Sequence, residues 1–501
     1  MRGFPSRRDS LWRSLTALLL LSLSLSLSLS IQASPPDLPN VELTPAEETE
    51  IDAMVLSVPN TWIGDLDGMR KRRLVRVLVP YSKTFYHIDR GRQGGTAYET
   101  GKALEDWLNK KQPFQNKSLR WRVMFIPVAR DKLMPSLLEG IGDIAAGGLS
   151  ITAGRLKTVD FATPFATGIR ETLISGPHGK PIGKLEELAG EEVMVRASSS
   201  YFEHLNDLNL QFKEQGLEAI KVIPADENLE SEDLLEMVNA GLINATVVDR
   251  YLAAIWQPLY KDMVVHDEFY LRKDSELAWA IRKNSPQLKA MLAGFVKQHK
   301  VGTVFGNTLV NRYLNNPNRV LNATNEAELQ KFNELVGLFH KHADSYDFDY
   351  LMLMAQGFQE SRLDQAARSP RGAVGVMQLL PSTAADPSVA IQGVDKSADR
   401  NIEAGSKYMR LLADKYLNDP ELTPLNKTLM TFAAYNAGPG NLRKFRRLAQ
   451  KSGLDPNIWF QNVEHAAARV VGRETVDYVG NIYKYYVAYK LVQSRQKKGR
   501  P

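Results

Sequence analysis

Between residues 74 and 139, short runs of branched apolar residues alternate with longer amphipathic stretches. The runs at 74–79 and 121–127 have the length and composition of buried strands, and those at 96–109 and 131–139 have helical spacing. Such alternation is typical of an α/β domain with largely parallel strands, because each helix returns the chain to the start of the next strand. The pattern therefore predicts an α/β fold for this part of the chain.

The chain contains no cysteine among its 501 residues. This excludes disulfides, thiolate metal sites and a lipid-bearing cysteine at the amino terminus. His340 and His342 are two residues apart, so on a helix they point to different faces and are not expected to share a metal ion. We expect no metal and no other cofactor. A hydrophobic content of 44% is typical of globular domains, and the length accommodates two or three of them.

The first 13 residues supply half of the formal net charge of +6, so the remainder is only mildly basic. Its basic clusters, at residues 70–73, 443–447 and 495–500, are not interleaved with aromatic residues as a nucleic-acid surface would be. We therefore expect no nucleic-acid partner. A weak attraction to an anionic wall polymer or membrane surface stays open.

Residues 1–33 have the pattern of a secretory signal peptide, with an arginine-rich start, an apolar leucine-serine repeat and small residues that permit cleavage after Ala33. Ile31 is the third residue before this cleavage point, where signal peptides usually carry a small residue. An uncleaved N-terminal membrane segment is therefore the alternative. Either interpretation predicts that the body of the protein is exported. Residues 34–69 combine prolines with acidic residues and predict a tether containing one short helix.

The stretch at residues 140–165 reads GIGDIAAGGLSITAGRLKTVDFATPF. Together with LEELAGEEVMVRASSS from Leu185, NAGLINATVVDR from Asn239 and LAWAIRKNSPQL from Leu277, it resembles the family 3 periplasmic solute-binding proteins. The resemblance covers residues 70–314. It implies a two-lobed, periplasmic-binding-protein-like α/β domain with a cleft for an amino acid or a related polar solute.

Four residues in these pieces are candidates for holding such a ligand. Arg155 follows Thr152 at a predicted strand-to-helix turn, where a guanidinium and free backbone N–H groups can hold a carboxylate. Ser199 lies at a similar turn, and Asp249 ends an apolar run, so its carboxylate can face an ammonium group. The alternative is structural, with Thr152 and Ser199 as helix caps and Arg155 and Asp249 in ion pairs.

Glu360 is an acid near the end of an apolar run, residues 350–358. On a helix it shares one face with Leu353 and with Gln356 or Gly357. Burial beside apolar neighbours raises the pKa of a carboxyl group, so the acid stays protonated near neutral pH and can donate a proton in catalysis. We therefore interpret Glu360 as a general acid. The alternative is a glutamate at a solvated helix end.

Further motifs follow Glu360 in order: GAVGVMQLLPSTA from Gly372, AYNAGPG from Ala434 and ETVDYV from Glu474. With the Glu360–Ser361 pair and a segment at 401–405, they resemble the soluble lytic transglycosylase domain over residues 332–493. The resemblance implies an all-α, lysozyme-like domain. A polar, turn-rich linker at 315–331 precedes it, and a basic tail at 494–501 follows it.

The same resemblance implies roles for individual residues. Glu360 is the acid and later the base of the reaction. The residues expected to bind the substrate are Ser361, Met377, Gln378, Tyr435, Asn436 and Tyr478. The alternative interpretation of Asn436 is a structural role in a turn. Asp364, one helical turn beyond Glu360, lies on the same side of the scissile bond and is expected to be structural.

Two helix starts are predicted within this domain. One follows Pro381, and the next is expected to be capped by Asp399 together with Asn401 and Glu403. Glu474 is expected to be a residue of a helix end rather than a second catalytic acid.

The order of the two domains resembles the membrane-bound lytic murein transglycosylase F family. The resemblance implies cleavage of peptidoglycan with formation of a 1,6-anhydro product, in the periplasm and peripherally on the outer membrane. It also implies an amino-acid or muropeptide ligand that adjusts the enzyme through the first domain. The alternatives are a solute receptor held on the wall by an inactive second domain, and a muramidase that uses water.

Overall fold

The computed structural model describes residues 43–54, 61–89, 92–116, 119–177, 179–314 and 326–498. The predicted signal segment, most of the linker and the end of the basic tail lie outside these ranges. A helix that precedes the first domain, α1 (Pro45–Met54), falls within the expected tether. No helix within the described ranges has both the length and the apolar character needed to cross a bilayer.

The first domain alternates strands and helices. In chain order they are α2 (Leu66–Arg72), β1 (Leu74–Pro80), β2 (His87–Asp89), β3 (Arg92–Gly94), α3 (Thr96–Lys111), β4 (Arg122–Val128), α4 (Leu133–Leu138), β5 (Ile144–Ser150), α5 (Ala153–Leu156), β6 (Asp160–Phe161), β7 (Ala166–Ser175), β8 (Glu192–Arg196), α6 (Ser200–Glu214), β9 (Lys221–Ala225), α7 (Ser231–Asn239), β10 (Ala245–Asp249), α8 (Arg250–Trp256), β11 (Val264–Val265), β12 (Arg272–Ile281), α9 (Pro286–His299) and α10 (Val304–Leu314). The strands and helices predicted between residues 74 and 139 correspond to β1, α3, β4 and α4.

The main sheet has the strand order β10-β7-β12-β5-β1-β4. Strand β1 is parallel to β4, with Leu74 opposite Arg122, and parallel to β5, with Val77 opposite Ile144. The long strands β7 and β12 run antiparallel to their neighbours. The expectation of largely parallel strands therefore holds for β4, β1 and β5 but not for β7 and β12. The pairing of these two strands brings residues 166–175 against residues 272–281, and local periodicity carries no information about such a distant contact.

A second lobe is built around the parallel pair β8 and β9. It has its own hydrophobic core, in which Leu173, Val193, Val195, Leu205 and Phe212 are buried. A separate cluster around Leu78 and Phe161 belongs to the first lobe. The predicted two-lobed α/β domain is therefore confirmed.

Part of the expected tether is built into the fold. Asp65 caps α2 and also accepts hydrogen bonds from the backbone N–H groups of Gln287 and Leu288, each at 2.8 Å. Asp65 thus contacts the first domain, whereas Glu48 of helix α1 forms ion pairs with Arg447 and Lys451 of the second domain. The segment between these two contacts, residues 55–60, lies outside the described residues.

The second domain is helical throughout its described part, as predicted. Its helices are α11 (Glu326–Tyr346), α12 (Tyr350–Ser361), α13 (Pro381–Ala385), α14 (Ala398–Tyr416), α15 (Pro424–Ala437), α16 (Pro439–Lys451), α17 (Glu464–Val470) and α18 (Arg473–Lys498). Helix α12 packs between α11 and α18, with its residues 351–358 buried. This packing brings the end of α12, and with it the partly buried Glu360, against α18.

Candidate active site

Helix α12 carries the candidate acid to its carboxyl-terminal end. Asp349 caps the start of the helix by accepting a hydrogen bond from the N–H of Leu351. The helix ends where Arg362 adopts a left-handed conformation, with φ of 55°. Gln356 and Glu360 lie one turn apart on this largely apolar helix and face the same partner.

That partner is Tyr478 of α18, one of the predicted substrate-site residues. Its hydroxyl donates to Glu360 Oε1 at 2.6 Å and accepts from Gln356 Nε2 at 3.3 Å. Burial raises the pKa of Glu360 to about 7, although the hydrogen bond from Tyr478 acts in the opposite direction. A carboxyl group with this pKa is present in both protonation states at neutral pH, so it can donate a proton and later accept one.

The loop after α12 turns back beneath the acid. Gly375 has a φ of 76°, and a Cβ atom at this position would lie 2.4 Å from Asn401 Nδ2, so only glycine fits here. Asn401 is fully buried and makes three hydrogen bonds to backbone groups, two of them in the loop. Its Oδ1 accepts from the N–H of Met377 at 2.7 Å, and its Nδ2 donates to the carbonyls of Val374 and Val394.

This role of Asn401 corrects the predicted cap of α14. The cap is Ser397, whose hydroxyl accepts from the N–H of Arg400, and Asp399 lies in the first turn. Asn401 lies too far into the helix for capping, and its amide serves the loop instead. The predicted helix start after Pro381 is confirmed by α13.

Ser361 and Asp364 stabilise the turn that follows the acid. The hydroxyl of Ser361 donates to the carbonyl of Val376 at 2.8 Å and accepts from the N–H of Asp364 at 3.0 Å. The carboxylate of Asp364 accepts from the N–H of Ala366 at 2.9 Å, which is a structural contact. In this arrangement Ser361 connects the end of α12 to the loop.

Met377 and Gln378 reach the site through the backbone of that loop. We expected Met377 to bind the substrate, but its side chain is buried against Gly405 of α14. Gln378 has a φ of 45°, and its amide donates to the carbonyls of Gly375 and Ala367. Both side chains therefore support the loop in this structure.

Tyr435 and Asn436 lie at the end of α15. The Tyr435 hydroxyl donates to the carbonyl of Met377 at 2.8 Å. Burial, together with the negative charge of Glu360, holds the pKa of this phenol well above its usual value. Asn436 is exposed, and its Oδ1 accepts from the hydroxyl of Thr475 at 2.7 Å. The three helices α12, α15 and α18 thus converge on Glu360.

Sequence reasoning missed Gln356 and Asn401 as parts of this site. Gln356 is fully buried in an apolar run, and that contrast was a signal for a polar partner. Asn401 gave no such signal, because its partners are backbone groups of a distant loop.

In the first domain, a cleft of about 70 Å³ is lined by Arg155 and Ser199 but not by Thr152 or Asp249. Arg155 donates to the carbonyls of Ser150 and Ser198, and burial lowers its pKa. Thr152 and Ser199 cap α5 and α6, which is the structural alternative stated above. Both serve as caps while Ser199 also faces the cleft.

Asp249 is buried at the end of β10, and its Oδ1 has no hydrogen-bond partner in the described structure. Burial raises the pKa of this carboxyl group well above its usual value, and the nearby Glu171 raises it further. The raised pKa favours the neutral acid, and Asp249 does not line the cleft.

A pair that the sequence did not indicate joins the two lobes across this cleft. Arg130 donates from Nε to both carboxylate oxygens of Glu230 at 2.9 Å and from a terminal nitrogen at 2.7 Å. The partners are 100 residues apart in sequence, so local patterns carry no information about their contact.

No cluster of three or more acidic or histidine side chains arranged for a metal ion occurs within the described ranges. His340 contacts Asp344 at 3.0 Å and His342 contacts Asp399 at 2.7 Å. The two histidines therefore bind different carboxylates.

Two family models match the chain. The Transglycosylase SLT domain matches residues 337–458, and the bacterial extracellular solute-binding proteins of family 3 match residues 79–314. The first match includes Glu360 and the converging ends of α12 and α15, and the second includes both lobes of the first domain.

Curated relatives match both domains together. A protein of Desulfosudis oleivorans named membrane-bound lytic murein transglycosylase F is 28% identical over 83% of this chain and 90% of its own length. One of the same name from Pseudomonas fluorescens is 26% identical over 87% of this chain and 88% of its length. Among solved structures, an ancestral amino acid-binding protein, a precursor of cyclohexadienyl dehydratase, is 25% identical, with a TM-score of 0.40, over 50% of this chain and 99% of its own.

Proposed function

Because the chain belongs to the membrane-bound lytic murein transglycosylase F family, we propose that it cleaves the β-1,4 bond between N-acetylmuramic acid and N-acetylglucosamine in peptidoglycan without water. The observation that carries this proposal is Glu360, a partly buried acid whose pKa is raised by desolvation to about 7 and whose carboxylate accepts a hydrogen bond from Tyr478.

The reaction needs one acid that also acts as a base. Protonated Glu360 donates its proton to the glycosidic oxygen as the bond from that oxygen to C1 of the muramic acid breaks. The resulting carboxylate then takes the proton of the C6 hydroxyl, and the C6 oxygen bonds to C1 to close the 1,6-anhydro ring. Glu360 ends the cycle protonated, so no proton is lost or gained.

The surroundings of Glu360 are consistent with this single-acid chemistry. Its pKa is determined by burial and by the hydroxyl of Tyr478, with no contribution from a second carboxylate in the described residues. Glycosidases with a protein nucleophile or a water-activating base place a second carboxyl group across the bond. Tyr478 holds one oxygen of the carboxylate and leaves Oε2 for the substrate.

Mass spectrometry of the products from purified peptidoglycan tests the proposal. We expect muropeptides that end in 1,6-anhydromuramic acid, and none with Glu360→Gln. Glu474→Gln, which changes an exposed glutamate at the start of α18, is the matched control and should retain the products. Reducing-end products would establish a water-using muramidase instead, and no products with retained wall binding would establish a receptor.

For the first domain we propose an amino-acid or muropeptide ligand that adjusts the activity of the second. Arg155 lines the cleft and offers a site for an anionic group, whereas Asp249 lies outside the lining. Across the cleft, Glu230 caps α7, and Glu236 of the same helix accepts from Lys484 of α18 at 2.6 Å. Helix α18 also carries Tyr478, so a movement of α7 is passed to the partner of the acid.

The matching experiment compares wild-type protein with Arg155→Ala. Isothermal titration with amino acids and purified muropeptides should show saturable binding that Arg155→Ala weakens, together with a ligand-dependent change in the rate of anhydro-product release. If neither binding nor the ligand effect changes, the cleft has no such role. We further propose that the protein acts in the periplasm as a peripheral protein of the outer membrane.

A further inference from the structure

A second and larger cavity runs along the free edge of the main sheet. Strand β4 is the last strand of the sheet order, and all seven of its residues line a cavity of about 740 Å³. The opposite wall comes from the second domain, with Leu454, His465 and Arg469 among its residues. This volume lies within the range of sites that hold small organic ligands.

The cavity has the shape and chemistry of a site for a linear apolar chain. At about 3.3 Å per residue, seven strand residues extend over roughly 20 Å. The wall along this length consists mainly of apolar side chains, such as Met124, Ile126 and Val128. Met124 belongs to none of the hydrophobic clusters of the fold, so its flexible side chain is available to a ligand.

The charges around the cavity are of one sign. Lys102, Arg122, Lys132 and Arg469 line it, and none of the described lining residues is a carboxylate. Lys102 and Lys132 have ion-pair partners outside the cavity, in Glu105 and Asp131. Arg122 and Arg469 have no carboxylate partner among the described residues, and Arg469 donates only to the carbonyl of Met54. Two cations are therefore left for an anionic group.

His465 is an independent sign that a polar group belongs here. It is 3% exposed, lines the cavity, and neither ring nitrogen has a hydrogen-bond partner in the described structure. Burial lowers its pKa to about 4, so the ring is neutral, with one donor and one acceptor unused. Leaving such groups unpaired costs free energy that a ligand oxygen would recover.

An extended peptide added to β4 is disfavoured by the strand itself. The N–H of Val123, which points away from β1, is already bound by Glu105 at 2.7 Å, and Pro127 has no N–H to offer. The N–H of Phe125 is left between them, which is too little for a ladder of backbone hydrogen bonds. Recognition in this cavity therefore rests on apolar contact and charge.

From these observations we propose that the cavity along β4 binds a single-chain fatty acyl carboxylate, with the chain along the strand and the carboxylate at the unpaired cations. This site is separate from the cleft between the lobes and from Glu360. It lies between the two domains, so its ligand would contact both.

Fluorescence titration of the purified full-length protein with cis-parinaric acid tests the proposal. We expect saturable binding that oleate displaces, and displacement at least about tenfold weaker by oleyl alcohol, which lacks the charge. No saturable binding, or equal displacement by the alcohol, would overturn the proposal. Displacement by an acidic apolar peptide but not by oleate would overturn it in favour of a peptide partner.

Three variants locate the binding. Met124→Trp fills the cavity without touching the core, and we expect it to weaken binding about tenfold. Arg122→Glu should weaken it about fivefold, whereas Arg120→Glu, an equally exposed position that does not line the cavity, should change it less than about twofold. Wild-type affinity in both Met124→Trp and Arg122→Glu, with unchanged circular dichroism, would place the binding elsewhere and refute the assignment.

Discussion

Replacing Tyr478 by phenylalanine should move the pH dependence of cleavage in a direction that the structure determines. Glu360 must be protonated to act as the acid, so kcat/KM falls as the pH rises through its pKa of about 7. The hydroxyl of Tyr478 donates to the carboxylate at 2.6 Å and thereby favours the charged form. Without it, the pKa of Glu360 rises, and the alkaline limb of the profile moves to higher pH.

The size of this shift follows from the strength of the lost bond. A hydrogen bond to a charged group contributes about 1.5–3 kcal/mol, and 1.36 kcal/mol corresponds to one pH unit. Because the hydroxyl can also bond to the protonated acid, only part of this energy separates the two forms. We therefore expect a shift of about one pH unit, accompanied by a lower maximal rate since the carboxylate is less well oriented.

The assay measures the release of anhydro-muropeptides from soluble glycan strands between about pH 5 and pH 9, at substrate concentrations below KM. Tyr435→Phe is the matched control, because its hydroxyl bonds to the carbonyl of Met377 and not to Glu360. That variant should keep the alkaline limb within about a third of a pH unit of wild type. An unchanged limb in Tyr478→Phe, or a shift towards acid, would refute the electrostatic role given to Tyr478.

Three further predictions concern stability and the loop beneath the acid. In urea titrations, Glu360→Gln should raise the free energy of unfolding by about 3 kcal/mol at pH 8 but change it little at pH 4. The pKa of Glu360 in the native protein, about 7, exceeds its ordinary value of 4.5, so the wild type loses stability as the pH rises through that interval. An equal effect at both pH values would contradict this assignment. Asn401→Ala should cost about 2–4 kcal/mol in the same titration and reduce the cleavage rate, because three buried backbone groups lose their partner. Gly375→Ala should lower the thermal midpoint and the rate together, whereas Gly372→Ala, with a similar φ but no atom within 4 Å of the added Cβ, should lower the thermal midpoint less.

Local patterns in the sequence predicted the helices and strands that are determined by the residues within them. The strands β1 and β4, the helices α3 and α13, and the acid at the end of an apolar helix follow from periodicity, helix-start signals and the position of one charge. The fold class was confirmed because composition and order of elements determine it. The roles of the individual site residues stay predictions, although the structure brings Tyr435 and Tyr478 to Glu360.

What sequence reasoning missed depends on contacts between distant residues. Asn401 was interpreted as part of a cap because helix starts favour asparagine, yet two of its three partners, Met377 and Val374, lie 24 and 27 residues earlier. The pair of Arg130 and Glu230 and the antiparallel course of β7 and β12 are set by tertiary packing. No window of sequence contains both partners, so periodicity cannot show them.

Helix α18 carries both a contact with the first domain and the tyrosine that bonds to Glu360. Lys484 of α18 and Glu236 of α7 form an ion pair at 2.6 Å with almost no exposure, and Tyr485 and Tyr260 donate to the same carboxylate. Removing one partner of such a pair leaves an uncompensated buried charge and costs about 3–5 kcal/mol. Tyr478 lies six residues before Lys484, about 9 Å along the same rigid helix. A contact between the two domains and the hydroxyl that bonds to Glu360 are therefore carried by the same helix.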